Sequence, residues 1–111
     1  MTGFAELVQR AKEVREQYAD LEKARYGRDW TREEIMLGFV GDVGDLSKLI
    51  LANEGVRQIA DAKNQLAHEL SDCLWSVIVL ADLYDIDLET AFLNTMDSLE
   101  RHISDVNSDS S

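Results

Sequence analysis

The run Cys73-Leu-Trp-Ser-Val-Ile-Val-Leu-Ala-Asp-Leu83 decides the fold class, because its centre can be read in two ways. Val77, Ile78 and Val79 have the side-chain branching of a strand. The run as a whole is apolar almost all the way round, interrupted only by Ser76 and Asp82, and fits a helix buried on more than one side. Its flanks carry helical periodicity, and no other stretch resembles a strand with which it could pair. The chain has no proline and six glycines, so no pyrrolidine ring forces a helix to break. The expectation is an all-α protein.

Upstream, Thr31 followed by Glu34 is a capping-box pattern, in which each side chain satisfies a free backbone N–H of a first helical turn. A helix over Arg32 to Asn53 follows, with a buried face through Ile35, Phe39, Val43, Leu46, Leu49 and Ile50 and with Gly55 as a left-handed stop. Before it, Phe4, Leu7, Val8, Ala11, Val14, Tyr18 and Leu21 recur at helical intervals and place a first helix over Gly3 to Ala24, with Gly27 at the turn. The third helix starts between Gln58 and Asp61 and ends at Leu83. Asp87 caps a fourth, which carries Leu88, Ala91, Phe92, Met96, Leu99 and Ile103 on one face. Four helices and short loops predict a four-helix bundle in one domain over residues 1–103, with a frayed polar tail over residues 104–111. A third helix that is apolar all round favours a homo-oligomer, either homodimer or homotetramer.

At 111 residues and 12.5 kDa the chain has room for one core. Twenty-two acidic residues against eleven basic ones give a net charge of -11, which excludes a basic surface able to neutralise a nucleic-acid backbone. The longest nearly apolar run falls far short of the roughly 20 residues that span a bilayer, so no membrane partner is expected. Met1 to Gln17 has no continuous apolar core of a signal peptide, and the expected compartment is the cytoplasm. Cys73, the only cysteine, lies in the apolar run and reads as an inert core thiol.

Chemistry concentrates in two acidic pairs. Asp42 and Asp45 on the second helix, and Glu69 and Asp72 on the third, are each three residues apart and therefore share a helix face. If the two helices pack antiparallel, four carboxylates converge in a setting suited to hard divalent cations, Mg2+ or Mn2+. Acids at this spacing commonly do no more than face water, but these stand among Phe39, Val43, Leu46, Leu66, Leu70 and Leu74. Two like charges about 4 Å apart repel by roughly 4 kcal/mol at an effective dielectric near 20, so a partly buried cluster calls for a cation or a proton. Gly38, Gly41 and Gly44 have the spacing of neither a P-loop nor a dinucleotide fingerprint. As helical glycines they cost about 1 kcal/mol each, which predicts a close helix contact or room for a ligand.

The stretches Leu37-Gly-Phe-Val-Gly-Asp-Val-Gly-Asp-Leu46, His68-Glu-Leu-Ser-Asp-Cys-Leu-Trp75 and Ala81-Asp-Leu-Tyr-Asp-Ile-Asp-Leu88 resemble the MazG-type all-α nucleoside triphosphate pyrophosphohydrolases. Their signature is E-E-x-x-E followed by E-x-x-D, and the resemblance covers Trp30 to Arg101. It implies that Asp42, Asp45, Glu69 and Asp72 bind Mg2+, with Mn2+ as a substitute, and carry the hydrolysis of a (deoxy)nucleoside triphosphate to the monophosphate and pyrophosphate. The cation would also let so acidic a chain hold a polyanionic substrate.

The sequence departs from the family pattern in several places. Gly41 stands for the first signature glutamate, and Asp42 and Asp45 are one methylene shorter than glutamate. The Lys and Asn of the family's C-terminal K-x-x-x-N-x-x-R pattern are absent, while Asp97 and Arg101 remain as substrate-binding candidates, with Lys48 as a substitute phosphate contact. Arg28-Asp-Trp30 resembles the R-D-W that precedes the metal helix in some members, which makes Trp30 a base-stacking candidate. Ser76, on the stripe of Glu69 and Asp72, replaces a tyrosine of some relatives and implies a roomier base pocket. Trp75, three residues beyond Asp72, reads as core in preference to a residue flanking the site, and His68 as a surface or loosely packed residue. The alternative function is a non-catalytic helical nucleotide-binding or interaction protein. A di-iron carboxylate bundle is disfavoured, because neither histidine completes a Glu-x-x-His pair.

Overall fold

A computed structural model describes residues 3–55 and 61–109. Its elements are α1 (Phe4–Tyr26), α2 (Arg32–Asn53), α3 (Ala62–Leu83) and α4 (Leu88–Asp109), with no strand among the described residues. Val77, Ile78 and Val79 are helical: Ile78 and Val79 enter the core, Val77 faces outward, and no strand among the described residues offers them a ladder.

The helix limits follow the expected local signals. The Glu34 N–H donates to Thr31 Oγ1 at 3.2 Å and the Thr31 N–H donates to Glu34 Oε1 at 3.1 Å, which completes the capping box. Arg28 grips the same carboxylate at 2.6 and 3.2 Å, and this guanidinium together with the Thr31 N–H lowers the Glu34 pKa to about 2. Gly27 closes α1 at φ 80°, its N–H donating to the Lys23 carbonyl, and Gly55 follows α2 at φ 79°. Asp87 accepts from the Thr90 N–H at 3.2 Å and from the Thr90 hydroxyl at 2.9 Å ahead of α4. Of the expected start between Gln58 and Asp61, residues 58–60 lie outside the described residues, and Asp61 is the N-cap of α3.

α2 and α3 pack along each other and α1 lies against α3. Ile35 and Leu49 of α2, Ala11 of α1, and Ile78, Val79 and Ala81 of α3 form the buried core. Trp75 ties α3 to α1: its Nε1–H donates to the Ala11 carbonyl at 3.2 Å, and its ring meets Tyr18 edge-on at 5.9 Å. Burial of α3 on several sides holds for Ser76, Ile78, Val79 and Ala81, whereas Leu70 and Leu74 remain half exposed.

α4 departs from expectation. Its first turn, Leu88 and Glu89, shares a hollow with Phe4, Val8, Ile78 and Ala81, but Phe92, Leu99, Ile103 and Val106 are exposed beyond it. The chain measures 62 × 40 × 31 Å with a radius of gyration of 18.0 Å, against about 13 Å for a compact chain of this length. A closed four-helix bundle is therefore not formed within one chain, because the periodicity names the apolar face without naming what covers it. The polar segment from Ser104, expected to fray, is helical to Asp109, with Val106 continuing the apolar stripe of α4.

Candidate active site

The packing of α2 on α3 brings the two acidic pairs together. Asp42, Asp45 and Glu69 each offer a carboxylate oxygen, and the three oxygens lie within 4.8 Å of one another. Glu69 and Asp72 form a second such group with His68, so the acids make two overlapping triads that share Glu69. Glu69 Oε2 is buried and has no hydrogen-bond partner. Burial first, then Asp72 and Asp45, raises the Asp42 pKa; burial, then Asp72, Asp42 and Asp45, raises that of Glu69. An orphaned buried carboxylate oxygen among acids that disfavour one another's charge is a donor set that fits a hard divalent cation.

A cleft of about 570 Å³ is lined by Asp42 and Asp72 of the cluster together with Trp30, Tyr18 and Trp75. Ser76 also lines it and is buried. Trp30 and Ser76 thus share a cleft with two of the four acids. Lys48 is exposed on α2 one turn past Asp45, outside the residues that line the cleft. Asp97 and Arg101 are exposed on α4, which lacks the packing on α2 and α3 that would bring them to the cluster within one chain.

Gly38, Gly41 and Gly44 decide between the two expectations for them. A Cβ built at any of the three meets nothing within 4 Å, so these glycines do not admit a close helix contact. Gly38 opens on the cleft. Cys73 is half-buried, and burial together with Asp42, Glu69 and Asp72 raises its pKa, which keeps the thiol protonated.

Two features escaped the sequence reading. His68, read as a surface residue, is exposed but sets its Nε2 3.2 Å from Asp72 Oδ2, at the edge of the cluster. Glu22, on α1, is only 6% exposed and lies in the cleft wall, ion-paired with Arg15. The signal for it was spacing. Ala11, Arg15, Tyr18 and Glu22 step by four, three and four residues, so two opposite charges seven apart occupy the lattice of a buried stripe.

The family model of the MazG nucleotide pyrophosphohydrolase domain matches residues 31–106, more than half of the chain. The chain belongs to the MazG family. The match begins at the cap of α2 and takes in the four acids of the cluster, so the MazG domain supplies the carboxylates, while α1 and Trp30 precede it. No curated protein and no solved structure matches the chain.

Proposed function

We propose that this MazG protein is a Mg2+-dependent pyrophosphohydrolase that converts (deoxy)nucleoside triphosphates to the monophosphate and pyrophosphate, in cytoplasmic nucleotide-pool housekeeping. The observation that carries the reading is the Asp42–Asp45–Glu69 oxygen cluster, with its orphaned Glu69 Oε2, whose Asp42 lines an aromatic-walled cleft. Asp42, Asp45, Glu69 and Asp72 are assigned as the residues that hold Mg2+, or Mn2+ in its place. Bound there, the cation supplies screening of the triphosphate charge and polarisation of the α-phosphorus.

The chain's own residues have separate tasks. A carboxylate of the cluster orients the attacking water and accepts its proton. Trp30 stacks on the base, and Ser76 leaves room beside it. Lys48 is the basic side chain α2 offers to the phosphates one turn beyond Asp45, and Asp97 and Arg101 are carried by α4. A second copy of the chain is assigned to the uncovered apolar stripe of α4, as homodimer or homotetramer.

The test is pyrophosphate release from a panel of canonical and modified NTPs and dNTPs with Mg2+, with Mn2+ and with EDTA. Release that needs the metal and leaves a monophosphate is the expected result. A folded preparation that binds nucleotide and releases nothing in any condition would leave the non-catalytic reading standing instead.

A further inference from the structure

Glu22 is the most buried charged side chain among the described residues, and the reaction proposed above gives it no task. Its Oε1 accepts from the backbone N–H of Trp30 at 2.8 Å and from Arg15 Nη1 at 3.2 Å, and its Oε2 accepts from the same Nη1 at 3.2 Å. Arg15 Nη2 in turn donates to the Trp30 carbonyl at 3.2 Å. Residue 30 is thus held at both its N–H and its C=O by one ion pair on α1, in a connection with no regular secondary structure of its own.

As a stabilising device this arrangement is a poor choice. Removing two charges from water consumes most of what their attraction returns, and well-packed apolar residues in their place are often neutral or better. The pair does accomplish something an apolar contact cannot, because it fixes the two peptide groups on either side of the Trp30 Cα. Their orientation sets the direction in which the Trp30 indole leaves the backbone, and Trp30, 45% exposed, lines the cleft that Asp42 and Asp72 also line.

We infer that Arg15 and Glu22 are positioning residues for the base site: they clamp the Trp30 backbone so that the indole stands preorganised to stack on a nucleobase, and they govern nucleotide affinity without touching the metal centre. The inference rests on the proposed reading of Trp30 as the base contact. It concerns residues of this chain that precede the segment shared with the MazG domain model.

The experiment is a double-mutant cycle on the full chain, reading the affinity of α,β-imido-dCTP by calorimetry and the affinity of Mn2+ without nucleotide by electron paramagnetic resonance. Glu22→Ala is expected to weaken analogue binding about tenfold, the worth of one good aromatic contact, and to leave Mn2+ affinity within about twofold. Glu22→Gln keeps an acceptor for the Trp30 N–H and removes the charge facing Arg15; it should weaken binding less, by about threefold, and it carries the test if Glu22→Ala does not fold. In a Trp30→Ala background neither substitution should cost more than about twofold, since the side chain being positioned is gone. Three outcomes overturn the inference: unchanged analogue affinity in Glu22→Ala and Glu22→Gln, an equal loss with and without the Trp30 indole, or a parallel fall in Mn2+ affinity. An analogue that binds with the expected pattern to a chain that releases no pyrophosphate would remove the hydrolase reading and leave the clamp. A wild-type chain that binds no analogue overturns the base site and the clamp together.

Discussion

A carboxylate oxygen of Glu69 on α3 lies within 4.8 Å of one of Asp42 on α2, and the charge of Asp42 is among those that raise the Glu69 pKa. The metal-free cluster is therefore a source of instability, and neutralising it by mutation should reveal this. Glu69→Gln keeps the size of the side chain and removes one charge, so in EDTA its Tm should rise by about 3 °C. In the wild type Mg2+ should raise Tm as a ligand of the folded state does, and in Glu69→Gln that response should be lost along with Mg2+-dependent turnover. Asp72→Ala should also abolish turnover. Thermal melts with and without Mg2+, beside the pyrophosphate assay, check this; unchanged turnover in both variants would sink the site assignment.

The same two acids fix the sign of a pH dependence. The ordinary pKa values are 3.8 for Asp42 and 4.5 for Glu69, and burial with neighbouring charge raises both in the folded chain. Between the ordinary and raised values the folded chain binds more protons than the unfolded one, so metal-free stability rises as pH falls through that window. Glu34 has the opposite sign, because its pKa is lowered to about 2, and its contribution fades only below the ordinary 4.5. With saturating Mg2+ the dependence at the cluster reverses, since protons and metal compete for the same oxygens. Melts in EDTA carried from pH 7 down to the ordinary carboxylate range should show a greater gain on acidification in the wild type than in Glu69→Gln, which isolates the cluster from the general relief of a net charge of -11.

The α2 glycines give a third prediction. Open space surrounds a Cβ at Gly41 and at Gly44, and neither residue has a positive φ that only glycine adopts easily. Gly41→Ala and Gly44→Ala should each stabilise the chain by about 0.5–1 kcal/mol through the lower backbone entropy of the unfolded state. Gly38→Ala should stabilise it similarly while placing a methyl in the cleft, so its nucleotide affinity should fall where that of Gly44→Ala does not. Urea unfolding and analogue titration separate the three. A loss of stability at Gly44 would mean that another surface approaches that face.

What the sequence made legible was local or periodic. Thr31, Glu34 and Asp87 act within three residues of themselves, and the limits of α2 follow from its caps. Asp42, Asp45, Glu69 and Asp72 could be paired because two i,i+3 spacings on adjacent helices leave few geometries for them. Glu22 was not legible in this way, since an acid on an amphipathic helix usually faces water and only the later course of the chain through Trp30 brings it an N–H partner. The cost of helical glycine points equally to a close helix contact or to room for a ligand, and the open space beside all three, with Gly38 on the cleft, removes the first. Residue types do not reveal whether a neighbour is present.

The placement of α4 is the largest departure, and it yields the last prediction. Phe92, Met96, Leu99, Ile103 and Val106 step by four, three, four and three residues, the spacing of a seam that a second helix fills. All but Met96 are exposed beyond a first turn that is anchored on α1 and α3. These side chains are about half exposed, so completing their burial is worth about 1 kcal/mol each, more than helical propensity alone contributes per residue to an isolated helix. A second copy offers the same stripe by symmetry, and also the half-exposed Leu70 and Leu74 of α3. Light scattering after size exclusion at micromolar concentration should therefore give a multiple of 12.5 kDa. Leu99→Asp with Ile103→Asp should reduce this to the single-chain mass and, by leaving α4 without cover, lower the helical signal in circular dichroism. If the wild type runs at the single-chain mass, α4 is a helix that persists without a partner, and the assignment of a second copy to its stripe fails.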